Sequence, residues 1–267
     1  MKDPFELSVL ESKLSARWLG RRFYLFETID STNTNLRELS YQGEPEGSVV
    51  LAEYQSSGKG RLGRQWHAPA GSSLLFSMLF RPEWPSDRAQ WLMMIAGLSA
   101  IEAIKQVADL DLRLKWPNDI VIGEDPPWRK CGGVLLEGEM QDSVFNSAVV
   151  GVGINVNILP AQLPETVSPA TSLQVEAGCL IPRLPLLLNY LAIMERRYEE
   201  ASMGVSPLTD WRAALVNIGQ RVRAEIKSGG AAIEGVAVDI DTTGRLLIRD
   251  SSGSLHTVTA ADVTIYG

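Results

Sequence analysis

At Gly219 the hydrophobic pattern of this chain changes its period, and that change sets what the chain can fold into. Beyond it, apolar residues alternate in short runs: Val222/Ala224/Ile226, Ile233/Val236/Val238, Leu246/Ile248, Leu255/Val258 and Val263/Ile265. Neighbouring residues of a strand point to opposite faces, so such alternation reads as half-buried strands. Gly229-Gly230, Thr243-Gly244 and Ser252-Gly253 supply the turns between them. Five short strands in about fifty residues predict a small β-barrel. Before Gly219 the reading is mixed. Strand-like runs at residues 23–28, 48–54, 74–80, 113–116, 120–122, 134–137 and 148–156 alternate with helical spacing. Helices are predicted at 89–108, 184–201 and 209–217, with a further one opening at Asp30 or Ser31 and a single short one over 6–22. A mixed α/β domain of about 215 residues followed by a small all-β one is the expected plan.

The chain has 267 residues, 45% apolar and 21% charged, which is enough to bury a core without staples. A formal net charge of −7 argues against a broad nucleic-acid-binding surface. Cys131 and Cys179 form neither a disulfide framework nor a zinc-binding spacing, and a reducing cytoplasm is expected. Residues 1–10 carry Asp3 and Glu6 and no apolar core of a signal peptide. The longest uncharged apolar stretch, 91–101, falls short of the ~18 residues that a membrane span needs.

Chemistry concentrates in three segments. Gly58-Lys59-Gly60-Arg61-Leu62-Gly63-Arg64-Gln65-Trp66 places three glycines and three cations within seven residues. Such a backbone can approach an anion closely, and without one the cations repel, so poor order is expected. Its Gly58, Gly60 and Gly63 match a dinucleotide fingerprint in letters, but the following residues, with Pro69 and Gly71, cannot open the required helix. In Lys115-Trp116-Pro117-Asn118-Asp119, Pro117 breaks a strand ladder and puts Asn118 and Asp119 at a corner. A hairpin then leads to Arg129-Lys130-Cys131-Gly132-Gly133, whose glycines offer bare backbone. Taken singly, Asp119 reads equally as a turn residue and Lys130 as a solvated cation. The third segment is Gly151-Val152-Gly153-Ile154-Asn155. Elsewhere, His67 and His256 are the two histidines, and no nucleophile elbow is present. Trp91, Met93 and Met94 read as core, and Glu137 and Glu139 as solvated or paired with nearby cations.

Asp30-Ser31-Thr32-Asn33, the 58–66 loop, residues 115–119 with Lys130-x-Gly132-Gly133, and residues 151–155 occur in the order in which similar motifs stand in the biotin protein ligases, which the chain resembles over almost its whole length. The resemblance implies an α+β fold: a class II synthetase-like catalytic domain with a mixed sheet at 1–217, and a C-terminal SH3-like β-barrel at 218–267. It implies a two-step reaction, in which biotin and MgATP give biotinyl-5′-AMP and pyrophosphate, and a lysine of a biotin carboxyl carrier domain, as in acetyl-CoA carboxylase, then takes the biotinyl group. Two anions must be held in line, which suits a cationic glycine loop. A carboxylate needs no general base, which suits the scarcity of histidine.

By the same resemblance, Ser31, Thr32, Asn33 and Gln55 bind the ureido ring. Lys59, Gly60 and Arg61 cover the biotin carboxylate, with Lys130, Gly132 and Gly133 opposite. Arg61 and Lys130 are the catalytic cations, and Arg61, Arg64, Trp66, Asn118 and Asn155 serve ATP. Magnesium arrives on the ATP phosphates with no protein ligand set, and Asp119 assists the incoming lysine. Two departures stand out. Residues 123–128 lengthen the hairpin, so a shifted register would bring Arg129 to the site in place of Lys130. Ala170 stands where some members stack a tryptophan on adenine, leaving apolar residues or Trp66 for that role. Residues 1–22 have no room for the winged helix of the repressor-type members, so no DNA binding is expected, and no membrane partner. A homodimer through an exposed strand stays open. A lipoate or octanoate transferase and a biotin-sensing protein without turnover are the alternatives.

Overall fold

Residues 5–141, 144–163, 169–225, 231–259 and 261–266 are described by the computed structural model. The first element, α1 (Leu7–Lys13), is shorter than the helix expected over 6–22. Past it, the backbone N–H groups of Arg17, Trp18 and Leu19 donate to the carboxylate of Glu195 at 2.7–2.9 Å. Those donors are satisfied from outside, so the segment runs as a pinned loop rather than as helix.

Then follow β1 (Arg22–Phe26), α2 (Thr32–Tyr41), β2 (Ser48–Ala52), β3 (Ser73–Phe80), β4 (Trp84–Pro85), α3 (Trp91–Ala108), β5 (Arg113–Lys115), β6 (Asp119–Ile122), β7 (Arg129–Gln141) and β8 (Val144–Asn155). One mixed sheet takes the order β1-β2-β3-β8-β7-β6-β5, with β4 paired to β8. Among the described strands of this sheet, β1 and β2 are the one parallel pair, and α2 is the crossover that such a pair requires. The β7/β8 ladder extends well beyond the runs expected at 134–137 and 148–156. Its extra residues include the polar Glu139, which hides the apolar signal of a strand.

Both faces of the sheet are covered, and so all eight residues of β3 are buried. Leu36 of α2 meets Val50, Leu79 and Val149 on one face. On the other, Val49, Phe76, Met78 and Val150 pack with α3 and with α5 (Arg183–Ser202), which follows the short α4 (Leu173–Ala177). Trp91, Met93 and Met94 are core residues, as expected. Residues 86–108 are long and apolar enough to cross a membrane by length and composition, and two-thirds of that window is buried inside the protein.

After α6 (Leu208–Ala214) the chain leaves its helix because Val216 N donates to Leu114 O at 2.9 Å, drawing it alongside β5. The helix expected at 209–217 therefore stops early. The strands β9 (Arg221–Glu225), β10 (Ile233–Ile240), β11 (Leu246–Arg249), β12 (Leu255–Val258) and β13 (Asp262–Tyr266) form a second, antiparallel sheet in the order β12-β11-β10-β9-β13. Their alternate residues Val222, Ala224, Ala237, Leu246 and Ile248 are buried. The expected turn at Gly229-Gly230, and Ile226, lie outside the described residues. The two sheets meet where Trp116 Nε1 donates to Gly244 O at 3.0 Å.

Candidate active site

Hydrogen bonds of Ile29 to Tyr54, and of Ser56 and Ser57 to Ile29 and Asp30, bring the start of α2 against Gln55. Ser31 caps α2, its side chain accepting from Thr34 N. Ser31, Thr32 and Asn33 are all buried. Gln55 Oε1 accepts from Thr32 N at 2.8 Å and lies 3.0 Å from Thr32 Oγ1. Ser77, buried in β3, lies 2.7 Å from Thr32 Oγ1 and donates to Asn33 Oδ1 at 2.6 Å. Asn33 Nδ2 donates to Glu137 Oε2 at 2.8 Å. Neither Ser77 nor Glu137 was a candidate from sequence. The one available signal for Ser77 was a lone hydroxyl inside the apolar run of β3.

The basic loop folds as a tight hairpin, contrary to the poor order expected of it. Lys59 pairs with Gln65, Gly60 N donates to Arg64 O, and Trp66 N donates to Gly58 O. Its turn uses Leu62 at φ 58° and Gly63 at φ 76°. Position 58 needs glycine, because a Cβ there would lie 2.4 Å from Trp66 O. Repulsion among the cations is offset because each has an acceptor elsewhere. Lys59 Nζ is 3.6 Å from Glu137, Arg61 donates to Asn118 Oδ1 at 3.5 Å, and Arg64 pairs with Asp262 of β13. Across from them, Lys130 Nζ is 2.5 Å from Asp119 Oδ1. A cleft of about 500 Å³ is lined by residues 57–65 with Leu135 and Glu137.

Burial pushes the Arg61 guanidinium below its usual range, with the nearby Asp119 and Asp262 opposing. Arginine remains a cation even so. Burial likewise pushes the Lys115 ammonium down against the pull of Asp119. Lys115 adds a positive charge beside Lys130 that the sequence reading had not assigned.

The glycines of 151–155 are occupied by site residues. A Cβ on Gly151 would lie 2.0 Å from Asn33 Oδ1, and one on Gly153 would lie 2.7 Å from the Trp66 indole. Trp66 thus lies on the strand itself, with Lys130 Nζ 5.6 Å from its ring centroid. The Trp66 Nε1 donor is buried and has no acceptor among the described residues. Gly132 lets β7 approach β8, since a Cβ would sit 2.9 Å from Gly153 O, while Gly133 faces Lys130.

A bulge in the β6/β7 ladder decides between Arg129 and Lys130. Ile120 pairs with Gly132 but Val121 with Lys130. Arg129 turns away and makes two 2.8 Å bonds to Glu176. Lys130 is held by its own N–H on Pro169 O at 2.7 Å and its carbonyl on Thr171 N at 2.8 Å, and Ala170 bridges to it. Asn118 also donates from Nδ2 to Val134 O at 2.7 Å. Asn155 is buried, and its Nδ2 donates to Thr171 O at 3.0 Å, so its amide ties down the 170–172 segment. Among the described residues no group of three or more His, Cys, Asp or Glu side chains could hold a metal.

Residues 25–155 match the biotin/lipoate A/B protein ligase family, and residues 218–266 match the biotin protein ligase C-terminal domain. The chain is 31% identical over 271 residues to a biotin–[acetyl-CoA-carboxylase] ligase of Mycobacterium tuberculosis, covering 98% of this chain and 96% of that one. It is 30% identical over 270 residues to the bifunctional ligase/repressor BirA of Bacillus subtilis, covering 99% of this chain and 81% of that one. The biotin protein ligase of Aquifex aeolicus, solved in complex with biotin and ATP, superimposes with a TM-score of 0.75 at 26% identity over 92% of this chain and 99% of that one.

Proposed function

Because the chain belongs to the biotin/lipoate A/B protein ligase family and carries its biotin protein ligase C-terminal domain, we propose a division of labour in which the pocket at Asn33 takes the ureido ring and the loop cations take the anions. The chain is an ATP-dependent biotin protein ligase. The biotin carboxylate attacks the α-phosphorus of ATP, forming biotinyl-5′-AMP as pyrophosphate leaves. An unprotonated lysine ε-amine of the acetyl-CoA carboxylase carrier then attacks the acyl carbon, forming an amide as AMP leaves.

The observation that carries the residue roles is the arrangement of four cations on four exchangeable acceptors: Lys59 on Glu137, Arg61 on Asn118, Arg64 on Asp262 and Lys130 on Asp119. Carboxylate and phosphate oxygens compete for the same donors, so substrate binding exchanges partners rather than creating cationic sites anew. Lys130 and Arg61 stabilise charge at the reacting carboxylate and α-phosphate. Lys59 and Gly60 cover the biotin tail, Gly133 leaves room beneath it, and Gly132 serves by letting β7 approach β8. Arg64, Trp66, Asn118 and Asn155 serve the nucleotide, Asn155 by holding the segment beside Lys130. Asp119, once released from Lys130, faces the incoming lysine. Covering the pocket keeps water from the adenylate. With cations dominating the cleft, magnesium would be held by phosphate oxygens of ATP and water.

The catalytic domain is assigned to residues 1–217 and the C-terminal domain to 218–267. The partner is the carrier domain. The formal net charge of −7 speaks against a broad surface for operator DNA. Cys131 and Cys179, both free, suit the cytoplasm. Pairing of two copies through the edge strand β1 is the dimer this sheet allows, since residues 214–217 already line β5. Incubation with ATP, Mg²⁺ and biotin, beside a parallel lipoate sample, tests the function by mass spectrometry of the small-molecule products. Biotinyl-5′-AMP in the first sample alone is the expected result. Lipoyl-AMP alone would transfer the assignment to lipoate, and tight biotin binding without adenylate would make the chain a sensor.

A further inference from the structure

Glu137 is out of character with the cleft it lines. The cleft is flanked by Lys59, Arg61 and Arg64 and has to admit anions, and a carboxylate on its wall opposes them. The position of Glu137 along β7 shows which end of the cleft it serves. Gly133, Leu135 and Glu137 share one face of the strand, and at ~3.3 Å per residue Glu137 lies about 13 Å from Gly133. It therefore sits beside Asn33, several residues along the strand from the glycine that faces Lys130.

Its contacts assign the role. Asn33 Nδ2 donates to Glu137 Oε2 at 2.8 Å, and Lys59 and Arg37 each face Glu137 Oε1 at 3.6 Å. An asparagine amide has two nearly isosteric orientations, and Ser77 alone cannot choose between them, because a hydroxyl both donates and accepts. A carboxylate only accepts, so it must meet the Nδ2 end. Asn33 Oδ1 is then left for Ser77, whose hydroxyl must donate to it. The Thr32 hydroxyl, in turn, can donate only to Ser77 Oγ or Gln55 Oε1. One carboxylate thus fixes the Asn33 amide and the direction of its bond with Ser77, while Thr32 N holds Gln55 Oε1 in place, and the same carboxylate attracts the first cation of the loop.

We propose that Glu137 is a positioning residue for biotin, orienting the Asn33 amide and tethering Lys59, so that ring recognition and loop position form one coupled unit. This inference rests on the biotin reading above. The test measures biotin affinity by titration calorimetry on the full chain, with KM for biotin and for ATP determined separately. The variants are Glu137→Leu, Glu137→Gln, Lys59→Met and the Glu137→Gln/Lys59→Met double, each checked by thermal melting. Glu137→Leu weakens biotin by about thirtyfold, as expected when a buried amide loses its acceptor and a cation its partner. Glu137→Gln can still accept from Asn33, so it recovers most of that loss and keeps a deficit of about threefold. Both effects fall on the biotin KM, with the ATP KM moving less than about twofold. The cost of Lys59→Met shrinks in the Glu137→Gln background, since the two changes remove one interaction. If Glu137→Leu fails to fold, this coupling decides the matter.

Biotin affinity within twofold of the parent in Glu137→Leu, equal losses in the Leu and Gln variants, a parallel rise in both KM values, or additive Lys59 and Glu137 effects would each overturn the inference while leaving the biotin reading intact. A parent chain that binds no biotin overturns both.

Discussion

Lys130 Nζ lies 2.5 Å from Asp119 Oδ1, a contact between neighbouring strands β7 and β6 that exists because the ladder bulges between them. Any substrate oxygen that the ammonium serves must compete with Asp119. Lys130→Ala and Arg61→Ala are each expected to slow adenylate formation by about a hundredfold or more, equivalent to ~2.7 kcal/mol of lost transition-state stabilisation. Pyrophosphate release under single-turnover conditions measures this. Asp119→Asn removes the competitor, so adenylate still forms while transfer to the carrier lysine slows by about tenfold. A wild-type adenylation rate in Lys130→Ala would refute the assignment.

Arg64 lies in the basic loop and Asp262 opens β13, so their ion pair joins that loop to the C-terminal sheet. A triphosphate competes with Asp262 for the guanidinium. Arg64→Ala is expected to raise the ATP KM about tenfold while biotin affinity stays within about twofold. Asp262→Asn removes the competition and should lower the ATP KM by about two- to threefold. Steady-state kinetics with each substrate varied separately distinguishes the two.

Gly151 and Gly153 lie two residues apart on β8 but carry different site residues, Asn33 and Trp66. A methyl group at either position forces its neighbour aside at a cost of about 1–3 kcal/mol. Gly151→Ala should therefore weaken biotin most, and Gly153→Ala should weaken ATP most. Calorimetry with each ligand, alongside a melting curve for each variant, tests that split. Loss of both affinities in equal proportion would mean that the glycines serve the sheet rather than the site.

Arg129 and Lys130 are adjacent cations with opposite expected phenotypes. Arg129 holds Glu176 through two bonds, and those bonds depress the Glu176 carboxyl below its usual range. A depressed carboxyl contributes stability above its unfolded value, and that contribution is lost as pH falls through the folded value. Arg129→Gln should lower Tm by about 2–4 °C at pH 7, corresponding to ~1 kcal/mol for a half-exposed pair. The difference from wild type should narrow as pH drops below the ordinary glutamate range. Melting at pH 7 and at acid pH checks it, and a loss of adenylation larger than the loss of stability would place Arg129 in the chemistry.

Much of the molecule was legible in its residues. The change of period at Gly219 announced a second sheet, and the capping chemistry of Asp30 or Ser31 announced the start of α2, which Ser31 caps. Helix lengths erred where distant groups intervened. Glu195 captured the donors of residues 17–19, and Leu114 drew Val216 out of α6. Each is an interaction across more than a hundred residues, about which local periodicity carries no information.

The same limit applies at the site. Sequence by itself determined which chemistry was available: a glycine-rich cationic loop, a proline corner, a lysine beside two glycines, and glycines on a central strand. These are properties of residue type and near spacing. The tertiary structure decided which cation meets which acceptor. A single bulge turned Lys130 inward and Arg129 outward, a strand pairing placed Gly151 and Gly153 under Asn33 and Trp66, and the packing of the two sheets delivered Asp262 to Arg64. Glu137 read as solvated or paired with nearby cations, and it does pair with Lys59 and Arg37, but its bond to Asn33, like that of Ser77 inside an apolar strand, exists only in the sheet register. Hydrogen bonds act over about 3 Å, and only the folded chain brings such distant residues within that range.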